Sequence, residues 1–211
     1  MTARMNIVPL GDEAMLVRFS ESLSPEANRM AVGFSARLAQ SPPADVVEIV
    51  PSLVSVQLRL RPGTDFRHLV GELSLMPWPE AETPAGQEHD IAISYDGDDI
   101  DEVAALCGLT RDGFVVAHGA EPMRVLATGF APGFVYCGFH GEKLTVPRRQ
   151  TVRPSVAAGT VLFAAGQTAI PSTPIRTGWH VIGHTGFRNF DATIDPPTVL
   201  KAGDVVRFRA S

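Results

Sequence analysis

From Met123 to the end of the sequence, short apolar runs alternate with glycine and proline turns, and this pattern strongly constrains the fold. The runs cover residues 125–128, 161–165, 179–182 and 205–208. Apolar segments of this length between turn residues are typical of strands in all-β domains. The pattern therefore predicts an antiparallel barrel or sandwich for this part of the chain.

The first 86 residues have a different pattern, in which predicted strands alternate with amphipathic helices. Residues 13–19 and 45–50 are predicted strands, and residues 54–60 alternate apolar with polar side chains, as a strand with one exposed face does. Helix starts are predicted at Ser24-Pro25 and at Thr64 or Asp65. The order strand, helix, strand, strand, helix is most of a split βαββαβ unit.

A proline-rich segment at residues 76–88 is the best candidate for a linker between these two parts. It contains Pro77, Pro79 and Pro84. We therefore expect an α+β protein with an N-terminal α/β domain, residues 1–86, and a C-terminal β domain, residues 87–211. Residues 91–95 either complete the first sheet or open the second domain.

Composition and charge argue against some functions. The 211 residues carry a formal net charge of −5, which argues against nucleic acid as a partner because phosphate binding needs a basic face. No apolar run approaches the roughly 20 residues of a membrane-spanning helix, and the first residues lack the apolar core of a signal peptide. With only Cys107 and Cys137, the chain fits a reducing compartment. We expect a cytoplasmic protein that does not bind membranes.

Standard catalytic motifs are absent from the sequence, including a phosphate-binding loop, a dinucleotide fingerprint and a Gly-x-Ser-x-Gly nucleophile motif. His180 and His184 share one face of a predicted strand. No cysteine or carboxylate stands beside them at ligand spacing, so two surface or hydrogen-bonded histidines are the favoured interpretation, and no metal site is predicted.

The run TGFAPGFVYCGF at residues 128–139 is the most unusual local feature. Three glycines, one proline and four aromatic residues lie within twelve positions. Glycines expose backbone N–H groups to a ligand, and aromatic rings form a rigid apolar wall. The alternative is a barrel corner packed by aromatic side chains. The binding hypothesis assigns substrate contacts to Gly129, Phe130, Pro132, Gly133, Phe134 and Tyr136, whereas Cys137 is interpreted as a small buried hydrophobe.

Three further groups are candidates for binding or catalysis. Arg148, Arg149 and Arg153 are donors for a carboxylate or phosphate, and Pro154 makes Arg153 the best preorganised of the three. Gln167 and Thr168 follow a glycine and can hold an amide or carboxylate. His118 is the candidate acid–base residue. The alternatives are a solvated loop, a polar turn and a structural histidine.

Several segments together resemble one known family. They are GFAPGFVY at 129–136, PRR at 147–149 with Arg153, AGQT at 165–168 and the Gly178-Trp179 motif through Gly183, supported by segments near residues 11–17, 95–100 and 200–208. In this order they resemble the KipI family of 5-oxoprolinase B-type subunits, also called allophanate hydrolase subunit 1. Trp179 joins the expected substrate contacts.

The resemblance implies a cyclophilin-like β-barrel at residues 87–211 and a role inside a heteromeric enzyme. Its expected partners are a C-type subunit and an A-type subunit, and its expected reaction is ATP-dependent opening of 5-oxoproline to glutamate or of another small cyclic amide. ATP would act in the assembled complex, and the isolated chain would be inactive. The alternatives are a regulatory inhibitor of a sensor histidine kinase and a carboxyltransferase-type subunit of a urea or allophanate system.

Four positions near these motifs differ from the usual family pattern. Pro171 replaces a usual tyrosine, Arg176-Thr177 replaces Pro-Gly, and His184 replaces an arginine. These changes indicate that the substrate can differ from 5-oxoproline.

Overall fold

The computed structural model describes residues 6–76 and 86–211. The chain divides into two compact units, Met1–Pro84 and Ala85–Ser211. The predicted linker prolines Pro77, Pro79 and Pro84 lie outside the described residues.

The N-terminal unit is a four-stranded antiparallel sheet with two helices. Its elements are β1 (Asn6–Pro9), β2 (Ala14–Arg18), α1 (Pro25–Gln40), β3 (Val46–Pro51), β4 (Ser55–Leu60) and α2 (Phe66–Leu75). The strand order is β1-β2-β4-β3. The predicted order of strand, helix, strand, strand, helix corresponds to β2 through α2. Strand β1, which pairs with β2 at one edge of the sheet, was not among the predicted strands.

Capping residues and apolar periodicity explain both helices. Ser24 Oγ accepts a hydrogen bond from the Ala27 N–H, and Pro25 occupies the first helical position. Asp65, rather than Thr64, caps α2 by accepting from two backbone N–H groups. One face of α1 is buried in the core of this unit, formed by Ala27, Met30, Ala31, Phe34 and Leu38.

The C-terminal unit is built on a seven-stranded sheet. Its elements are β5 (Glu88–Ile93), α3 (Ile100–Leu106), α4 (Arg111–Gly119), β6 (Met123–Thr128), β7 (Val135–Gly138), β8 (Arg153–Val156), β9 (Thr160–Ala164), β10 (Gln167–Ile170), β11 (Ile175–Thr177), β12 (His180–His184) and β13 (Val205–Ala210). The main sheet has the order β12-β9-β10-β7-β6-β13-β5, and β8 pairs with β11 separately. The strands of this sheet from Met123 onward, β6, β7, β9, β10, β12 and β13, pair antiparallel with one another, as predicted. Strand β5 pairs in parallel with β13, so the sheet as a whole is mixed. Residues 91–95 therefore belong to the second unit.

The two edge strands of this sheet meet each other. Ser94, directly after β5, exchanges both backbone hydrogen bonds with His184 at the end of β12. The chain then follows β12, with the Gly97 N–H bonded to Ile182 O and the Asp99 N–H bonded to Val181 O. The sheet therefore curls until its edges are joined, which leaves the polar groups at this seam paired.

Strand alternation gives the C-terminal unit two apolar layers. Val161 and Phe163 on β9 pack into the interior of the curled sheet. Leu162 and Ala164, on the opposite face of the same strand, join an outer cluster that contains Phe134 and Trp179. This explains why every residue of β9 is buried. Within the described ranges, no helix is long and apolar enough to cross a membrane.

The seam generates a stability prediction. A Cβ added at Gly183 would overlap the backbone oxygen of Ser94, whereas one added at Gly186 would meet no atom within 4 Å. We expect Gly183→Ala to lower the free energy of unfolding by about 1–3 kcal/mol and Gly186→Ala to change it by less than about 0.5 kcal/mol. Chemical denaturation measures the difference, with hydrogen exchange of the Ser94 and His184 amides as a local probe. Equal effects of the two substitutions would contradict the seam as described.

Candidate functional site

The aromatic run forms a row of side chains on the outer face of β7. Phe130 contacts Phe134 at 5.3 Å between ring centroids, Phe134 contacts Tyr136 at 4.6 Å, and Tyr136 contacts Trp179 at 6.0 Å. The guanidinium carbon of Arg148 lies 5.7 Å from the centre of the Trp179 ring. We call these five side chains the aromatic row. Five of the predicted substrate contacts are therefore brought together in one row, in which Phe130 and Arg148 are exposed, Tyr136 is partly buried, and Phe134 and Trp179 are buried.

The glycines of the same run shape the loop between β6 and β7. Gly129 has a φ of 101° and its N–H donates to Phe134 O, while the Phe134 N–H donates to Ala131 O. Gly133 has a φ of 67° and its oxygen accepts from Ser172 Oγ and Asn189 Nδ2. These groups fix the loop internally, so the N–H groups of Gly129 and Phe134 are already used. Pro132 lies exposed beside Gly133.

Two of the three predicted ligand arginines bind a carboxylate of this chain. Asp99 Oδ1 accepts from Arg149 Nη1 at 2.5 Å and from Arg153 Nη2 at 2.7 Å. The other carboxylate oxygen accepts from the Val181 N–H at 2.7 Å. Asp99 is only 5% exposed, so its charge requires partners of this kind. We expected Arg153 to bind an anionic ligand most strongly, but its guanidinium already has an anionic partner in Asp99.

Arg148 is held differently, because its neighbours are tied to the start of β12. The Arg149 N–H donates to Gly178 O at 2.7 Å, and Pro147 O accepts from His180 Nε2 at 3.0 Å. These two bonds flank Arg148 and place it over Trp179. In the described part of the chain, no carboxylate forms an ion pair with Arg148, and its side chain is exposed. Arg148 is therefore the arginine of this set that can meet a ligand.

Gln167 and Thr168 lie on opposite faces of β10. Gln167 is adjacent to Ala164 on β9, and Ala169, two residues further on, belongs to the outer cluster with Tyr136. Thr168 points into the interior, where its hydroxyl bonds two histidines. Because strand side chains alternate, the two residues cannot hold one amide together. Only Gln167 shares the face of the aromatic row.

His118 lies in the interior with both ring nitrogens hydrogen-bonded. Its Nδ1 is 2.8 Å from Tyr95 Oη and its Nε2 is 2.7 Å from Thr168 Oγ1. The same hydroxyl is 2.8 Å from His140 Nε2, and the ring centres of His118 and His140 are 4.7 Å apart. His118 is completely buried. Proton transfer between His118 and a surface ligand therefore has to pass through Tyr95 or through Thr168 and His140.

Burial sets the ionisation of this interior network. It lowers the pKa of His118 well below its ordinary value, with a further contribution from His140, and it lowers the pKa of His140 to about 4. Burial also raises the pKa of Tyr95. Both histidines and the tyrosine are therefore neutral at neutral pH. No sequence pattern indicated His140, because nothing in the sequence connects it to Thr168, 28 positions away.

The remaining candidate residues lie outside the aromatic row. His180 is buried and His184 is exposed, because a bulge in β12 between Val181 and Gly183 interrupts the alternation. His184 Nδ1 lies 2.9 Å from Asp96 Oδ1 in an open cleft of about 320 Å³ at the seam. Among the described residues, no group of three or more His, Cys, Asp or Glu could hold a metal ion. Burial raises the pKa of the Cys137 thiol to about 12, as expected for an unreactive core residue.

Comparison with known proteins identifies the family of this chain. The sequence matches the family described as "Carboxyltransferase domain, subdomain C and D" over residues 5–200, and the chain belongs to that family. Within it, the chain is similar to proteins named as the B-type subunit of 5-oxoprolinase. It is 29% identical to the Bacillus subtilis (strain 168) protein over 99% of this chain and 93% of that protein. It is 32% identical to the Haemophilus influenzae protein, over 97% of each.

Solved structures extend the comparison. The crystal structure of TTHA0988 matches with a TM-score of 0.82 and 32% identity over 94% of this chain, but the chain spans only 40% of that protein. The Kluyveromyces lactis urea carboxylase matches with a TM-score of 0.76 at 14% identity, over 98% of this chain and 22% of that one. The second match shows a shared fold alone.

The buried carboxylate generates a prediction with a matched control. Asp99→Asn removes the charge that pairs with Arg149 and Arg153, and it should lower the free energy of unfolding by about 1.5–3 kcal/mol. Asp98 is 79% exposed and lies 3.6 Å from Arg153, so Asp98→Asn should change it by less than about 0.5 kcal/mol. Chemical denaturation of the two variants is the measurement, and an equally small effect at both positions would contradict the role assigned to Asp99.

The interior histidines predict a pH dependence of stability. In the unfolded chain each binds a proton below about pH 6.5, whereas in the folded protein the pKa of His140 is about 4. The unfolded state thus binds more protons between these values, so the free energy of unfolding falls as the pH drops from 6.5 toward 4. The expected loss is at most about 1.4 kcal/mol per pH unit for each histidine. Denaturation curves across this pH range give the free energy of unfolding at each pH, and this free energy should depend less steeply on pH for His140→Asn than for the unmodified chain. An unchanged dependence on pH would contradict burial of this ring.

Proposed function

We propose that this chain is the B-type subunit of a heteromeric, ATP-dependent 5-oxoprolinase that opens 5-oxoproline to glutamate, or of a close relative that opens another small cyclic amide. The similarity over nearly the full length of three proteins that carry the 5-oxoprolinase name supports this proposal. The departures at Pro171, Arg176, Thr177 and His184 are the reason for including a second cyclic amide.

The observation that carries the proposal is the aromatic row with Arg148 at its end. A five-membered cyclic amide has apolar ring carbons, one amide and one carboxylate. Aromatic faces accommodate the ring carbons, and a guanidinium forms a charge-assisted bond with the carboxylate. Gln167, on the same face of the sheet, is the candidate for the amide. The row thus offers each chemical group of the substrate a partner of matching chemistry.

The ring opening breaks the amide C–N bond, adds the oxygen of water to the carbonyl carbon and leaves a protonated amine on the former ring nitrogen. This chain's residues would bind and orient the substrate. Its sequence contains no phosphate-binding loop, so its residues do not fit a nucleotide site of that kind. We therefore assign the binding of ATP to the assembled complex and not to residues of this chain.

The partner we propose is a C-type subunit, joined by an A-type subunit. Phe130, the outermost ring of the aromatic row, is 65% exposed, and exposed aromatic side chains of this kind are enriched where proteins meet. In TTHA0988, the region similar to this chain is covalently joined to a larger remainder. A separate subunit would supply the corresponding remainder here.

A carboxyltransferase-type subunit of a urea or allophanate system is the second candidate. The family description and the fold shared with urea carboxylase favour it. The two candidates differ in their small-molecule substrate and in their reaction, which is ring opening for the first and carboxyl transfer for the second. A single reconstituted complex can therefore be assayed for both.

The decisive experiment is reconstitution of the chain with its C-type and A-type partners. We expect ATP-dependent release of glutamate from 5-oxoproline by the complex and no turnover by the isolated chain. Robust ATP-coupled turnover by the chain alone would overturn the assignment to a complex. Carboxyl transfer without glutamate release would favour the second candidate.

Arg148 gives this proposal a residue-level test. Arg148→Gln removes the guanidinium at the end of the aromatic row and should raise the KM for 5-oxoproline by about 10- to 100-fold, the loss expected for one charge-assisted bond. Arg209→Gln is the matched control, because Arg209 is an exposed arginine paired with Asp90 on β5. Steady-state kinetics of the two reconstituted complexes should differ, and equal KM values would contradict the role of Arg148.

A further inference from the structure

A continuous chain of hydrogen bonds crosses the core of the C-terminal unit. It runs from Tyr95 Oη to His118 Nδ1, from His118 Nε2 to Thr168 Oγ1, and from Thr168 Oγ1 to His140 Nε2. The three distances are 2.8, 2.7 and 2.8 Å. His118 and Thr168 are completely buried, whereas Tyr95 and His140 retain some exposure. The chain therefore has two ends near solvent and a dry centre.

The Thr168 hydroxyl imposes a rule on the two histidines. It has one hydrogen and lies within bonding distance of two Nε2 atoms, so it can donate to only one of them. The other histidine has to carry its proton on Nε2 and donate to the hydroxyl oxygen. Because both rings are neutral, His118 and His140 must hold opposite tautomers.

Two complete patterns satisfy this rule. In the first, Tyr95 donates to His118 Nδ1, His118 Nε2–H donates to Thr168, Thr168 donates to His140 Nε2, and His140 carries its hydrogen on Nδ1. In the second, every one of these bonds is reversed and the Tyr95 hydrogen points away from His118. Each pattern contains the same four hydrogens on these side chains, so neither carries a net charge.

We infer that Tyr95, His118, Thr168 and His140 form a proton relay through this core, in which both histidines change tautomer together. A proton that arrives at Tyr95 Oη moves each hydrogen one bond along the chain, and the Nδ1 hydrogen of His140 leaves. One proton enters and one leaves, so the interior gains no charge. This inference is independent of the proposed reaction.

The surroundings favour movement of protons over storage of charge. The rings of Phe114, Phe163 and Phe208 pack against His118, and a charged imidazolium there would be poorly solvated. The Cys137 thiol, opposite Thr168 on β7, is held neutral by burial. The Arg111 guanidinium donates to the backbone oxygen of Tyr95. If packing were the only role of these four hydrogen-bonded side chains, apolar residues of the same shape could replace them at little cost in stability.

Nitrogen-15 NMR of histidine in the full-length chain tests the relay directly. At pH 7 we expect opposite tautomers at His118 and His140. We also expect the ring N–H of His118 to exchange with water at least tenfold faster than the backbone amide of Thr168, because the relay needs no opening of the sheet. Identical tautomers, or a ring hydrogen that exchanges only at the rate of that amide, would overturn the inference.

Variants separate the relay from simple packing. Thr168→Val has the same shape without the hydroxyl, so it should uncouple the two tautomers, and combined with Tyr95→Phe it should slow His118 exchange to the rate of the backbone. Thr168→Ser restores the hydroxyl and should restore the opposite tautomers. If the valine variant fails to fold, the serine variant and the unmodified chain still decide the question. Unchanged exchange in the double variant would refute the relay.

Discussion

The carboxylate of Asp99 connects three segments that are far apart in sequence. One carboxylate oxygen accepts from Arg149, which precedes β8, and from Arg153, the first residue of β8. The other oxygen accepts from the Val181 N–H on β12. Asp99 itself directly precedes α3, beside the seam where the sheet edges meet. A buried charge with three donors is stable only while all three segments stay in place. The position of Arg148 over Trp179 depends on the same segment, so the surface site relies on this interior carboxylate.

The alternation of strand side chains separates two chemical environments. On β7, Tyr136 lies in the outer aromatic row, whereas Cys137 lies in the core; on β10, Gln167 faces outward and Thr168 inward. The outer face therefore carries aromatic rings and an arginine, and its exposed members, Phe130 and Arg148, are of a chemistry that suits a small anionic ligand. The interior carries a neutral hydrogen-bond chain. The same strands thus carry the proposed binding site on one face and the proposed proton movement on the other.

Local sequence signals predicted local structure well. Helix α1 follows from Ser24, Pro25 and its apolar periodicity, whereas the role of the aromatic run in binding stays a prediction. The failures concern long-range pairing. The parallel pairing of β5 with β13 joins residues more than a hundred positions apart, and the Asp99 pairs with Arg149 and Arg153 span 50 and 54 positions. Neither periodicity nor composition encodes such contacts, which is why Arg153 was expected to bind a ligand and His140 was not noticed.

The central claim is that the aromatic row with Arg148 is a small-molecule site that works inside a complex. Hydrogen–deuterium exchange of the chain bound to its C-type partner, with and without 5-oxoproline, tests it most directly. The account predicts ligand-dependent protection of residues 129–138 and 147–149, with no change in residues 6–76. Protection confined to the N-terminal unit, or none in either loop at saturating 5-oxoproline, would contradict it.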